Sequence, residues 1–183
     1  MIIGVVSDTH GKFDPALEKL FNGVELIIHA GDIGKLDIIN DLARFAPVIA
    51  VEGNNDSFGR YPEEQVSEIA GRRILVTHIF GELQQITKRE HATIERVEPD
   101  IVVFGHSHRP YADLLGQTVL FNPGSAGPRR FSLPRTAALL SLNKDTIDWK
   151  IVDLDTGKVN QGEFEDRPKT DREASRQALR QAQ

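Results

Sequence analysis

Five short apolar runs in this chain end on Asp, His or Asn, and that pattern limits the folds open to it more than any other feature. IIGVV at 2–6 leads into Ser7-Asp8-Thr9-His10. LII at 26–28 meets His29 and then Gly31-Asp32. PVIAV at 47–51 precedes Gly53-Asn54-Asn55-Asp56. RRILVT at 72–77 stops at His78, and DIVVF at 100–104 stops at Gly105-His106-Ser107-His108. Runs this short and this rich in β-branched residues read as buried strands. Two amphipathic segments separate the first three. One opens at Asp14-Pro15, a cap followed by a first-turn proline, and aligns Leu17, Leu20 and Phe21. The other, 35–45, aligns Leu36, Ile39, Leu42 and Ala43. Strand, helix, strand, helix, strand in so short a span demands parallel βαβ units. Parallel order brings the carboxyl ends of the strands to one edge, where open α/β sheets bind ligands.

A third helix is expected over 82–97, with Leu83, Ile86, Ile94 and Val97 as its stripe and Pro99 at its end. His91 lies within it and reads as a surface residue. After 110 the rhythm changes. YADLL and QTVLF flank Gly116 as a hairpin, and TAALLSL and IDWKIVDL follow with short polar turns. Ile147, Trp149 and Ile151 alternate with Asp148 and Lys150, the period of a half-buried strand. The turn at 155–158 leads to at most one more short strand. The expected architecture is α/β, one domain over 1–160 with two mixed β-sheets packed as a sandwich and flanked by helices. Residues 161–183 hold little that is large and apolar, and read as a polar tail or marginal helix.

Composition narrows the class. The 183 residues suit one core, and 39% hydrophobic with 27% charged residues suits a globular, cytoplasmic protein. Cysteine is absent, which excludes disulfides and thiolate metal ligands. No apolar stretch is long enough to span a membrane, and MIIGVVSDTH lacks the basic start of a signal peptide. A net charge of −5 argues against a general nucleic-acid binder.

The strand-end residues are metal-ligand types. Asp8 and His10 are two apart, as are His106 and His108, so in extended backbone each pair points the same way. A lone Asp at a strand end is usually a cap, and a lone His a satisfied polar group. Together, Asp8, His10, Asp32, Asn54, His78, His106 and His108 would crowd charges and polar groups that need a cation to coexist. Seven donors exceed one tetrahedral site and suit two divalent ions about 3.5–4 Å apart. Mixed N and O ligands suit Mn, Zn, Fe, Co or Ni.

SDTHG at 7–11, GD at 31–32, GNND at 53–56, His78 and GHSH at 105–108 resemble the five-block signature of the calcineurin-like metallophosphoesterases. FNPGS at 121–125 resembles a segment of the small phosphodiesterases related to the retromer subunit Vps29. The likeness spans about residues 1–155. It implies that Asp8, His10 and His108 bind one metal, that Asn54, His78 and His106 bind the second, and that Asp32 bridges them. It implies hydrolysis of a phosphate ester by a water or hydroxide held between the ions, Mn foremost. The substrate would be a small phosphate ester, a nucleotide or cyclic nucleotide among the candidates. A homo-oligomer is compatible with it. Its second reading is a protein-binding scaffold of the Vps29 type with weak or vestigial hydrolysis.

Two positions depart from the family pattern. Many members carry His after the block-three Asn; here it is Asn55. An amide can hydrogen-bond a leaving oxygen but cannot act as a general acid near neutral pH, which favours diesters over monoesters. Ile79 follows His78 where glycine is common, and is expected to narrow the site or shift the loop. The run Pro128-Arg129-Arg130-Phe131 reads first as a solvated loop with one anchoring Phe, and second as a phosphate or base grip.

Overall fold

The structure is a computed structural model that describes residues 1–57 and 59–165. The first sheet uses β1 (Ile2–Val6), β2 (Leu26–His29) and β3 (Val48–Ala50), all parallel. It is extended antiparallel by β9 (Thr136–Leu142), β10 (Thr146–Asp153) and β11 (Val159–Glu165), in the order β11-β10-β9-β1-β2-β3. The second sheet has the order β4-β5-β6-β8-β7, from β4 (Glu64–Ile69), β5 (Arg72–Thr77), β6 (Ile101–Val103), β8 (Thr118–Pro123) and β7 (Pro110–Leu115). Strands β5, β6 and β8 are parallel; β4 and β7 close the edges antiparallel. The expected hairpins thus serve both sheets.

Alternation within each strand fills two faces. Ile3, Val5, Val76, Val103 and Phe121 meet between the sheets. On the outer face of the first sheet, α1 (Ala16–Leu20) and α2 (Asp37–Leu42) seat Leu17, Ile38 and Leu42 with Phe21. Gly4 permits this approach: a Cβ there would stand 2.8 Å from the Phe21 ring. On the outer face of the second sheet, α3 (Lys88–Val97) covers Leu75, Val102, Phe104 and Leu120 through Val97.

Three boundaries differ from expectation. The helix expected from 82 begins at Lys88, because Thr87 and Glu90 form a reciprocal capping box; a 3-10 turn, Leu83–Gln85, precedes it. Strand β4, unforeseen, pairs with β5 through Ala70-Gly71. The boundary expected at 160 falls inside β11, whose seven residues pair with β10, so 161–165 are strand rather than tail. The rest of the expected tail lies outside the described residues. No described helix is long and apolar enough to cross a membrane.

Candidate metal centre

The loops after β1, β2, β3, β5 and β6 meet at one edge of the sandwich. The first group of donors that converges there is Asp8, His10 and His108; the second is Asp8, Asp32 and His78. Asp8 belongs to both. His108 Nε2 stands 3.2 Å from Asp8 Oδ1. His10 Nε2 lies 3.4 Å from His108 Nε2 and 3.8 Å from Asp32 Oδ2. His106 donates its backbone N–H to Asp8 Oδ2 at 3.1 Å, and its exposed ring lies edge-on to His78, with centroids 5.3 Å apart. Asn54 is exposed and lines a cavity together with His78. Five of the seven expected ligands, Asp8, His10, Asp32, His78 and His108, therefore bring their donor atoms together, and His106 and Asn54 stand beside them.

The backbone is bent to achieve this. Eight described non-glycine residues have positive φ, and five of them are Asp8, His10, Asp32, His106 and His108. Asp and His are among the residue types that tolerate the left-handed region best, yet each such residue stores strain. Close backbone approach completes the loops. A Cβ on Gly53 would overlap the Asp32 carboxylate at 2.2 Å, and one on Gly105 would meet Ser7 Oγ at 2.0 Å.

Hydrogen bonds orient the donors. His78 Nδ1 lies 2.7 Å from the Ala30 carbonyl. A carbonyl only accepts, so Nδ1 carries the proton and the Nε2 lone pair of the neutral ring faces the carboxylates. Nε2 is 3.4 Å from Asp32 Oδ1 and 3.9 Å from Asp8 Oδ1. Both His78 Nε2 and Asp8 Oδ1 are buried without a hydrogen-bond partner. Lone pairs facing one another in a buried site require a proton or a cation between them. Protonation of His78 is one answer: burial disfavours its charge, but Asp32 and Asp8 outweigh burial and raise its pKa. Burial likewise opposes ionisation of Asp8, yet His108 and His78 hold its pKa down. Asp32, opposed by burial, is kept well below the usual carboxylate range by His78 and Asn55. The cluster is thus built to hold two carboxylates charged beside imidazoles, and a hard or borderline divalent cation fits its donors.

Asn55 sits differently from its expected role. Its Nδ2 donates to Asp32 Oδ2 at 2.6 Å and its backbone N–H to Asp32 Oδ1 at 2.9 Å. The amide expected to face a leaving group restrains a carboxylate instead. The PRRF loop also differs from its first reading. Phe131 is 92% exposed with φ 53°, so it anchors nothing, and Arg129 pairs with Asp155 at 2.8 Å. His91 is exposed, as expected.

Three positioning groups went unread in the sequence. Asp56 accepts from the backbone of Ile33, Gly34 and Gly53, each at 2.9 Å, and so locks the β2 and β3 loops together. Asn122 bonds the Gly105 carbonyl at 2.8 Å, and Ser125 Oγ donates to the Asp8 carbonyl at 3.1 Å. Their signal was present in GNND and FNPGS, the segments that carry them. His29 is wholly buried, with Nε2 2.9 Å from Thr9 Oγ1. Thr9 spends its only proton on the Ile33 carbonyl. His29 Nε2–H is therefore the donor, which leaves Nδ1 bare and without a partner.

A cavity of about 480 Å3 opens beside His78 and Asn54, between the β3–β4 loop, the end of β5 and the start of α3. Ile79, 55% exposed, and buried Phe80 stand on its wall.

Comparison with known proteins agrees with this geometry. The calcineurin-like phosphoesterase superfamily domain matches residues 1–145. A probable metallophosphoesterase of Methanothermobacter thermautotrophicus is 34% identical over 163 residues, covering 83% of this chain and 92% of that protein. A phosphodiesterase of Methanocaldococcus jannaschii is 30% identical over 139 residues, covering 68% of this chain and 83% of that protein. The fold matches the zinc complex of Vps29 from Entamoeba histolytica, with a TM-score of 0.76 at 22% identity, across 91% of this chain and 100% of that one.

Proposed function

The chain belongs to the calcineurin-like phosphoesterase superfamily, and from that premise we propose that it is a dinuclear metal-dependent phosphodiesterase. The observation that carries this reading is the pair of buried, unpartnered donors, Asp8 Oδ1 and His78 Nε2, set among converging imidazoles. Asp8, His10 and His108 would hold one ion, and Asn54, His78 and His106 the other. Asp32 would be shared between the two ions, and Asp8, common to both donor groups, would be within reach of either. When bound, such ions would withdraw charge from phosphoryl oxygens and make water acidic enough to supply hydroxide at neutral pH.

The chain's own residues do the rest. Ala30 fixes the His78 ring so that Nε2 faces inward. Asn55 holds Asp32 with both its amides and so limits its rotation. No general acid stands at position 55, so that position cannot protonate a leaving group. A diester with an acidic leaving group tolerates that better than a monoester, and a relative named as a phosphodiesterase supports the choice. Mn is the proposed metal, with Ni, Zn, Fe and Co as alternatives for the same donors.

The test is a paired assay of bis(p-nitrophenyl) phosphate and p-nitrophenyl phosphate with added Mn at one pH. Faster turnover of the diester is expected. A clear excess for the monoester would overturn the diesterase assignment. No turnover of either by protein holding two metals would favour the Vps29-type scaffold.

A further inference from the structure

The loop that joins β8 to β9 is fastened to the candidate metal centre, and the proposed chemistry does not use it. Ala126 N–H donates to the Ser7 carbonyl and Gly127 N–H to the Asp8 carbonyl, each at 3.1 Å. The approach is close: a Cβ on Gly127 would stand 2.3 Å from the Asp8 carbonyl oxygen. The loop then turns back, with Leu133 N–H donating to the Arg130 carbonyl at 3.2 Å. Arg130 is three residues beyond Gly127, at most about 11 Å of chain.

Three arginines belong to this loop, and they divide by partner. Arg129 pairs with Asp155 at 2.8 Å, and Arg135 pairs with Asp155 at 3.1 Å and with Asp14. Those two tie the loop down. Arg130 is exposed and makes no ion pair among the described residues. Its charge nevertheless bears on the centre. Burial lowers the pKa of His10 most, and Arg130 comes next, ahead of the opposing pull of Asp32 and Asp8. The guanidinium therefore stands near the His10 ring. Phe131 beside it is 92% exposed, so neither residue of the tip serves the core. A second cation lies along the same rim. A Cβ on Gly11 would meet Lys35 Cγ at 2.9 Å and Cε at 3.3 Å, so the exposed Lys35 chain crosses the turn next to His10. It too has no ion pair among the described residues. Two such cations at one rim are unexpected in a chain of net charge −5.

Cations beside a site proposed to hold two divalent ions are repelled by it unless an anion stands between. A phosphoryl group is such an anion, and the guanidinium fork matches its oxygens. We infer that Arg130 binds the phosphoryl group of the substrate from the His10 side of the centre, donating to a non-bridging oxygen. The inference rests on the phosphodiesterase reading and adds to it a protein contact with the reacting group. Charge spreads over the equatorial oxygens in the transition state. The contact therefore strengthens there, and its loss shows in kcat as well as in KM.

Arg130→Gln and Arg130→Lys test this beside Lys150→Gln, which removes one positive charge from an exposed position on β10. Each is compared with the natural protein, Mn-loaded and freed of excess ion. With bis(p-nitrophenyl) phosphate, Arg130→Gln should lose at least about tenfold in kcat/KM, part of it in kcat, and Arg130→Lys should fall between. Affinity for inorganic phosphate, read by titration calorimetry, should drop about tenfold in Arg130→Gln. Mn content and Tm should hold their natural values, and Lys150→Gln should change neither rate nor phosphate affinity. A natural rate or a natural phosphate affinity in Arg130→Gln, or an equal loss in Lys150→Gln, overturns the inference and leaves the diesterase reading standing. Loss of Mn from Arg130→Gln also overturns it, since the residue would then act on the ions and not on the substrate. No hydrolysis by natural protein holding two ions overturns the diesterase reading and the inference with it.

Discussion

The core between the sheets and the rim at the strand ends obey opposite rules. In the core, Ile3, Val5, Val76, Val103 and Phe121 are fully buried apolar side chains on regular strands. At the rim, a few residues further along the same strands, five left-handed Asp and His residues crowd together and two buried donors lack partners. Each left-handed residue costs on the order of 1 kcal/mol or more. The difference shows where the strain is offset: parallel strands buried on both faces give the rim a rigid base, and the rim spends stability on preorganised donors.

The comparison breaks most sharply at Phe121. Phe121→Ala should cost about 3–5 kcal/mol of unfolding free energy, equally with and without Mn, because it leaves a cavity among apolar side chains between the sheets. Urea unfolding in both conditions checks it. A loss confined to one condition would mean that core and centre are coupled.

His29 comes next, on the border between the two regions. Burial lowers its pKa to about 4 from an ordinary 6.5. The unfolded chain therefore binds a proton that the folded chain refuses. Stability from this group is full above pH 6.5, falls as pH drops, and levels off near pH 4, with about 3 kcal/mol at stake. Unfolding of chelated protein across that window should show the slope, and His29→Gln should flatten it. His78 acts in another window. Its raised pKa contributes stability that is present below pH 6.5 and lost as pH rises through the folded value.

At the rim itself, Asp8→Asn should lower Mn-dependent hydrolysis at least about a hundredfold, some 2.7 kcal/mol, while the metal-free Tm stays close to its starting value. Kinetics and melting on the same preparation separate the two effects. The smallest expected effect is Asn55→Ala. Loss of its 2.6 Å bond to Asp32 should weaken Mn affinity about tenfold, read by titration calorimetry, with little change in fold.

The same contrast explains what could be read in the sequence. Strands buried on both faces announce themselves as apolar runs, so β1, β2, β3, β5 and β6 were legible, as were the Asp and His residues that end them. Strands β4 and β11, EQVSEI and VNQGEFE, are edge strands with open sides, and their polar residues give no hydrophobic signal. Asn55 was legible as an amide beside the centre but not as a restraint on Asp32. That depends on how the β3 loop turns, which Asp56 decides from three backbone amides. Phe131 was misread as an anchor because an aromatic in a loop usually finds a core, and this one holds left-handed backbone in solvent.

Metal stoichiometry tests the central claim most directly. Elemental analysis after equilibration with saturating Mn and removal of free ion should approach two ions per chain for the natural protein. His10→Ala should lose mainly one of them, and Asp32→Asn should weaken both. A natural protein that saturates at one ion or fewer would contradict the dinuclear centre.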